Sequence, residues 1–374
     1  MTATTAQQYL PGPDGSWERG RPEQLGLDPE RLAGSVAYAE AHETHLDRDL
    51  HRALDELKAG EGVHAAILGP TKPRGGPAGL ILKGGYIVAE WGDTARVDMT
   101  FSASKSYLAT LAGLALDRGL IRDLDDPVRE YVDDGGFEPP HNSRITWRHL
   151  LHQSSEWSGT LWDKPDQVDH NRGAAADRAN FAAKGTRREL REPGTYYEYN
   201  DVRVNRLALA LLRVWKRALP DVFRELVTDP IGASDTWEWH GYENSYVAID
   251  GQRVQSVSGG GHWGGGVWVS TFDHARFGYL HLRRGRWGGR QVLSERWIDV
   301  ATTPSPANPG YGCLWWLNSG TPRYPSAPAS SFFALGFGSN VVWVDPEHDL
   351  VAVVRWIERT AVDGFMKRVL AAIT

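Results

Sequence analysis

Apolar runs typical of β-strands occur near both ends of the chain, whereas the region between them contains few. Residues 80–82 and 86–89 flank Gly84-Gly85, a connection that suits a hairpin because glycine adopts positive φ without strain. The middle, roughly 120–255, is predicted to be largely α-helical. One antiparallel sheet must then be assembled from both ends of the chain. This predicts an α/β (α+β) fold in which helices flank the sheet and a mainly helical subdomain is inserted in it. Further strands are predicted at 267–270, 332–335, 341–344 and 350–356.

The predicted organisation is one structural unit with two subdomains. Residues 1–100 and 256–374 supply the sheet subdomain, residues 101–255 supply the helical one, and residues 1–28 form an extended N-terminal arm. The helix predicted at 101–118 should be buried, because leucines recur along it at helical spacing. Other helices are predicted at 29–57, 147–152 behind Thr146, 202–219 behind Asn200 or Asp201, from Asp221 onward, and at 361–373.

Charge and cysteine content exclude several classes of function. Lys and Arg number 41 against 47 Asp and Glu, a formal net charge of −6, and no run of like charges offers the basic surface that nucleic acids need. No stretch approaches the length of a membrane span. The single cysteine, Cys313, forms neither an internal disulfide nor a cysteine-based metal site. Residues 1–20 lack the apolar segment of a signal peptide, so we expect a cytoplasmic protein without cofactor or metal and leave the oligomeric state open.

The strongest chemical signature is Ser102-x-x-Lys105 at the start of the helix predicted at 101–118. Residues three apart share a helix face, so Lys105 can reach the Ser102 hydroxyl and help remove its proton. The backbone N–H at a helix start can also stabilise an oxyanion. The motif alone is weak evidence, because a capping serine beside a solvated lysine has the same spacing. A lysine at the entrance of a buried helix needs a partner, and the segment 193–201, which contains Tyr199, is the candidate.

These segments, in this order, resemble the serine β-lactamase and penicillin-binding-protein superfamily, most closely its branch of class C β-lactamases, family VIII esterases and nylon-oligomer hydrolases. The resemblance covers roughly residues 60–370 and implies a β-lactamase/DD-peptidase-like fold. Ser102-x-x-Lys105 matches the first motif, and residues 145–155 look like the segment after it. Pro193-Gly194-Thr195 with Tyr199 looks like the loop of the Tyr-x-Asn motif, and Trp263-Gly264-Gly265-Gly266 with Asp273 and Phe277 resembles the glycine turn and helix downstream.

The sequence departs from this family at two positions. Asp201 stands where the second motif usually has Asn; it can either hold Lys105 charged or cap the following helix, and we favour the cap. The third motif, usually Lys-Thr-Gly or His-x-Gly, ends here in Gly336-Phe337-Gly338 without a cation. In the family that cation helps to hold a substrate carboxylate. Its absence therefore argues against penicillins and cell-wall peptides and favours a neutral ester or amide.

The resemblance implies acyl transfer in two steps. Tyr199 and Lys105 would share the deprotonation of Ser102; since a free phenol has a pKa near 10, such a base depends on a neighbouring cation. The backbone N–H groups of Ser102 and of Phe337, or else of Gly338, would stabilise the oxyanion. Water would then release the acyl group. Gly336 and Asp201 are placed with the substrate-binding residues, although glycines here also suit close backbone approach in a strand.

Aromatic side chains are unusually frequent around these motifs, with 16 tryptophans in the chain. Trp157 and Trp162 are candidates for a pocket wall or lid, and His262 and Trp263 for contacts over the substrate. For each of them, packing in the core or under a turn is the alternative. Together with the missing cation, the tryptophans predict a flat, apolar site.

We therefore expect a serine hydrolase whose partner is a small-molecule ester or amide. A β-lactamase or DD-peptidase is the first alternative, and the missing third-motif cation counts against it. A non-catalytic ligand-binding protein of the same fold is the second alternative. The presence of Ser102, Lys105 and Tyr199 together counts against it, because a binding protein needs none of the three.

Overall fold

The computed structural model describes residues 9–12, 16–172, 184–320 and 322–374. Within these ranges the helices are α1 (Pro29–Glu40), α2 (Leu50–Lys58), α3 (Ser104–Asp117), α4 (Trp147–Leu151), α5 (Asp201–Trp215), α6 (Leu219–Phe223), α7 (Thr271–Leu282), α8 (Glu295–Ala301) and α9 (Val362–Ala371). The strands are β1 (Ala78–Lys83), β2 (Tyr86–Trp91), β3 (Asp98–Met99), β4 (Thr160–Leu161), β5 (Lys164–Pro165), β6 (Glu238–Ile249), β7 (Gln252–Val257), β8 (Gly266–Val269), β9 (Arg286–Trp287), β10 (Arg290–Gln291), β11 (Trp316–Leu317), β12 (Phe332–Gly336), β13 (Asn340–Asp345) and β14 (Leu350–Arg355). No helix in the described ranges combines the length and apolar character that crossing a lipid bilayer requires.

A six-stranded antiparallel sheet lies at the centre of the fold, and its strands come from both ends of the chain. Their order is β11-β12-β13-β14-β1-β2, so that β1 pairs with β14, with Ala78 opposite Arg355. β1 and β2 form the predicted hairpin, in which Gly84 and Gly85 have φ of 60° and 93°. The prediction of an α/β (α+β) fold with one sheet built from both ends is confirmed.

Helices cover this sheet, and one helix, α3, runs through the interior of the protein. β13 and β14 are buried along their whole length, as strands are when both faces of a sheet are covered. α7 packs against β1, β13 and β14, while α1 packs against α9 and β2. α3 runs through the interior, and every residue from 104 to 115 is buried, as the leucine spacing predicted. The position of its first turn is therefore fixed by core packing.

The middle of the chain contains a second sheet that the apolar pattern did not predict. β6 and β7 form a hairpin that begins within the region 120–255 predicted to be largely helical, and the four-stranded sheet has the order β3-β8-β6-β7. The pattern fails because the register shifts between Gly241 and Tyr246, which interrupts the alternation of buried and exposed side chains. The helix predicted at 29–57 is also divided, because Asp28 and Asp49 each cap a separate helix.

Part of the predicted N-terminal arm lies against the β1–β2 hairpin. Trp17 Nε1 donates a hydrogen bond of 2.7 Å to the Gly85 carbonyl, and the Gly20 amide donates one of 2.9 Å to Ile87. Residues 1–8 and 13–15 of that arm lie outside the described ranges. The division into subdomains at 100 and 256 stays a prediction.

Candidate active site

Ser102 and Lys105 meet at the entrance of the buried helix α3. A single 3-10 turn over Phe101–Ala103 leads into α3, and Phe101 adopts a left-handed φ of 49° directly before the serine. Lys105 Nζ lies 2.9 Å from Ser102 Oγ. Ser102 is partly exposed, whereas the Lys105 side chain is 1% exposed. The two residues are therefore arranged as a reachable hydroxyl with a buried amine beneath it.

Asp201 is the counterion of Lys105, which corrects the predicted cap. The helix cap is Asn200, whose side chain accepts a hydrogen bond from the Arg203 amide, while Asp201 Oδ1 lies 2.6 Å from Lys105 Nζ. Burial would raise the pKa of Asp201, but the charges of Lys105 and Arg172 outweigh this effect and hold that pKa well below its usual value. Asp201 is thus a buried anion rather than part of a surface that a substrate can touch.

Tyr199 meets the same lysine through the face of its ring. Lys105 Nζ lies 4.5 Å from the centre of the Tyr199 ring, and the Arg172 guanidinium carbon lies 5.0 Å from it. Contacts of this kind are attractive because the ring face is electron-rich. Tyr199 also stacks on Trp316, with ring centres 5.7 Å apart. The fold therefore brings the three predicted catalytic residues together, with one cation that was not predicted.

The end of β12 borders the nucleophile turn. A Cβ on Gly336 would lie 1.9 Å from the Thr100 carbonyl oxygen and 3.2 Å from the Ala103 nitrogen, so only glycine allows this approach. Phe337 follows directly, and its ring packs edge to face on Phe101 at 5.3 Å. Gly338 has a φ of 72° in the turn to β13. Gly336 thus permits close backbone approach, while the oxyanion roles of Phe337 and Gly338 remain predictions.

His262 and Trp263 are buried beside Asp201 and Glu61, and their predicted contacts with a substrate stay predictions. Trp263 is fully buried and donates to Glu61 Oε2 at 2.8 Å, and His262 Nδ1 lies 3.4 Å from Asp201 Oδ2. Burial, followed by the surrounding cations, lowers the pKa of His262 well below its usual value. The glycines beside it serve close packing, because a Cβ on Gly260 would lie 2.0 Å from Asp201 Oδ1.

Trp157 packs in the interior, which is the alternative given above to its predicted role in a pocket wall. It is 3% exposed, and its Nε1 donates a 2.7 Å hydrogen bond to the Gly136 carbonyl. The indole ring also covers Gly159, where a Cβ would lie 2.7 Å from it. Trp162 is partly buried, with a φ of 53°, and packs against the hydrophobic core. Both tryptophans therefore have packing contacts in the described structure.

Four charged residues that sequence reasoning missed extend from the Lys105–Asp201 pair. Arg172 Nη1 lies 2.5 Å from Asp201 Oδ2 and 3.2 Å from Asp169 Oδ2. Lys184 Nζ lies 3.3 Å from Asp169 Oδ1 and also pairs with Glu61. We call this alternating series, Lys105, Asp201, Arg172, Asp169, Lys184 and Glu61, the charged row. The four added residues lie in the segments between the named helices and strands, so no periodicity marked them. The only signal for them in the sequence was the need of buried Lys105 for a partner.

The charged row also bears on the prediction that no metal is bound. Among the described residues, ligand atoms of Glu61, Asp169 and His262 lie within 4.8 Å of one another. Lys184 pairs with both carboxylates, and Lys58 Nζ lies 2.7 Å from His262 Nε2. The carboxylates and the imidazole that could bind a metal cation are therefore already paired with lysine ammonium groups. We assign no metal site to Glu61, Asp169 and His262.

Lys58 makes the stability of the protein depend on pH. It is 2% exposed, and burial lowers its pKa from 10.5 to about 7. Between pH 7 and 10.5 the unfolded chain therefore holds a proton that the folded chain releases, so this residue makes stability rise with pH in that interval. We expect the free energy of unfolding of wild type to gain up to about 1.4 kcal/mol per pH unit relative to Lys58→Met. Urea unfolding of both proteins from pH 6.5 to 9 measures the difference, and parallel curves would contradict the expectation.

The sequence and the fold were compared with known proteins. Residues 79–361 match the Beta-lactamase family. An uncharacterized protein of Alkalihalophilus pseudofirmus is 24% identical over 293 residues, which cover 71% of this chain and 74% of that protein. A penicillin-binding protein homologue of Caulobacter crescentus has a similar fold, with a TM-score of 0.57, 16% identity and coverage of 88% of this chain and 99% of that one. EstCE1, a hydrolase with promiscuous acyltransferase activity, also has a similar fold, with a TM-score of 0.57, 16% identity and coverage of 92% and 99%.

Proposed function

The chain belongs to the Beta-lactamase family, and on that basis we propose that it is a serine hydrolase that cleaves a neutral ester or amide through an acyl-enzyme on Ser102. The observation that carries the proposal is the 2.9 Å hydrogen bond between Lys105 Nζ and Ser102 Oγ at a partly exposed position. A serine hydroxyl becomes an effective nucleophile when a neighbouring group takes its proton. The fold shared with a hydrolase that has acyltransferase activity supports acyl transfer as the chemistry.

In the proposed acylation step, the Ser102 hydroxyl gives its proton to the Tyr199–Lys105 pair while its oxygen attacks the substrate carbonyl carbon. The two cations beside the Tyr199 ring support this step, because a nearby positive charge favours the phenolate, which is the form of Tyr199 that can accept the proton. The backbone N–H groups of Ser102 and Phe337 are proposed to bind the oxyanion. The proton passes to the leaving alcohol or amine, and water then attacks the acyl carbon, releasing the acid and regenerating Ser102.

A neutral substrate is proposed because the segment 336–338 offers no charged side chain beside the nucleophile. The edge-to-face pair of Phe101 and Phe337 supports an apolar acyl or alkyl group, since aromatic rings contribute large apolar area. The similar fold of a penicillin-binding protein homologue keeps a β-lactamase or DD-peptidase as the second candidate. The two candidates differ in whether the substrate carries a carboxylate next to the scissile bond.

A labelling experiment tests the proposal. The protein is incubated with a fluorophosphonate and, separately, with p-nitrophenyl butyrate, and Ser102→Ala serves as the matched control. We expect one phosphonyl adduct on the peptide that contains Ser102 and release of p-nitrophenol, both of which disappear in the variant. No adduct and no Ser102-dependent turnover would favour the non-catalytic alternative. Ser102-dependent labelling by a fluorescent penicillin at low concentration would favour the second candidate.

A further inference from the structure

Arg172 lies between the second-motif residues and the rest of the charged row. Its guanidinium bonds Asp201 Oδ2 and Asp169 Oδ2 and lies 5.0 Å from the centre of the Tyr199 ring. The side chain is 21% exposed, so it is largely shielded from water. Interactions between charges are stronger in such a partly buried position than in bulk solvent. Arg172 is therefore placed, together with Lys105, to affect the charge on Tyr199.

Asp201 is shared by two cations through separate oxygens. Its Oδ1 meets Lys105 and its Oδ2 meets Arg172, while its backbone N–H donates to Asp169 Oδ2 at 2.8 Å. Asp169 consequently holds both Arg172 and the backbone that carries Asp201. Both carboxylates contact the same guanidinium nitrogen, Nη1, while the guanidinium group lies over the Tyr199 ring. The geometry fixes Arg172, Asp201 and Tyr199 with respect to one another.

We propose that Arg172 is a positioning residue for the acylation step, and that it supplies a second positive charge beside Tyr199 in a site where the third segment, 336–338, has none. This inference rests on the proposed function and extends it to a residue that none of the motifs contains. Arg172 holds Asp201 against Lys105 and stabilises the charged form of the phenol. The ionisable groups that face Tyr199 and its partners come from several elements: Lys58 on α2, Lys105 on α3, Asp201 on α5, and Glu61, Asp169, Lys184, Tyr197, His262, Tyr311 and Arg323.

Two substitutions separate the charge of Arg172 from its shape. Arg172→Gln keeps hydrogen-bonding capacity but removes the charge. We expect kcat/KM for p-nitrophenyl butyrate to fall by about 30-fold in this variant, with most of the loss in kcat. The acidic midpoint of its pH–rate profile should lie about one pH unit higher than that of wild type. Arg172→Lys restores the charge without the planar fork, and we expect it to return the midpoint to within about 0.3 units of wild type. A merely structural role predicts lower activity with an unchanged midpoint and no rescue by lysine.

Arg188 provides the matched control. It pairs with Glu156 and Glu198, each at 2.6 Å, and lies 4.6 Å from the centre of the Tyr196 ring, so it repeats the environment of Arg172 away from Lys105. Arg188→Gln is expected to lower stability but to leave the midpoint of the pH–rate profile unchanged. An equal shift in both glutamine variants would overturn the inference.

A spectroscopic readout keeps this test separate from the test of the proposed function. The difference in tyrosinate absorbance between wild type and Tyr199→Phe reports the ionisation of Tyr199, and it can be measured whether or not an ester is hydrolysed. We expect less tyrosinate at a given alkaline pH when both proteins also carry Arg172→Gln, because one of the two cations beside the ring has been removed. An unchanged signal would refute the inference about Arg172 even if Ser102 hydrolyses the ester. Absence of turnover together with the expected loss of signal would refute the hydrolase proposal alone.

Discussion

Replacement of Lys105 by methionine is expected to lower kcat/KM for p-nitrophenyl butyrate by about 10³-fold, within the range attributed to general base catalysis. Methionine has a similar length but no amine, so it removes both the 2.9 Å hydrogen bond to Ser102 and the 2.6 Å ion pair with Asp201. Asp201 keeps Arg172 as a charged partner, so the buried carboxylate does not become isolated. The loss is therefore expected mainly in the rate of acylation, with the protein still folded.

Steady-state kinetics and the rate of fluorophosphonate labelling measure this effect, and circular dichroism checks folding. The double variant Lys105→Met/Asp201→Asn serves as the control, because it removes the ion pair as a whole. Its activity should be no higher than that of the single variant if the lysine acts on Ser102, whereas recovery of activity would trace the loss to the carboxylate left without Lys105. Turnover by Lys105→Met within tenfold of wild type would exclude Lys105 from the chemistry.

The second large effect is expected at Gly336, where alanine should lower kcat/KM by about 100-fold or more. The added Cβ would lie 1.9 Å from the Thr100 carbonyl oxygen, a contact that only movement of β12 or of the nucleophile turn can relieve. A displacement of about 1 Å at a reacting group can cost about 100-fold in rate. The overpacking should also lower the free energy of unfolding by about 1–3 kcal/mol.

Gly34→Ala is the control for this substitution. Gly34 lies within α1, and a Cβ there would have no heavy atom within 4 Å. We expect unchanged kinetics and a stability equal to or up to about 1 kcal/mol above wild type, because alanine is the better helix former. Kinetic assays and urea unfolding of both variants make the comparison. Full activity in Gly336→Ala would show that the end of β12 has no influence on the nucleophile.

The sequence was sufficient for elements whose apolar pattern is regular. The glycine pair at 84–85 marked a hairpin because two residues with positive φ close such a turn, and the leucines of α3 marked a buried helix. The hairpin of β6 and β7 escaped notice because its register shift between Gly241 and Tyr246 breaks the period-two pattern on which strand prediction depends. The hairpin was missed because of this local irregularity and not because its strands lack buried residues.

The site shows a similar division. Ser102, Lys105 and Tyr199 were found because short motifs carry them and the fold brings those motifs together. Asn200 and Asp201 are both suitable caps, and only the backbone geometry at the start of α5 decides that the first caps the helix and the second meets Lys105. Arg172 lies in an irregular connection, where no spacing rule relates a side chain to a distant motif.

The pairing of β1 with β14 has a consequence for how the active site forms during folding. β1 precedes the nucleophile turn, whereas β12, which borders that turn, lies on the far side of β13 and β14 in the same sheet. Contacts between such distant parts of a chain form late, because a long loop must close before they contribute stability. During synthesis the hairpin of β1 and β2 must therefore remain with an unpaired edge until the last strands arrive. An unpaired strand edge can associate with other chains, so this edge is the part of the sheet most exposed to aggregation while the chain is incomplete.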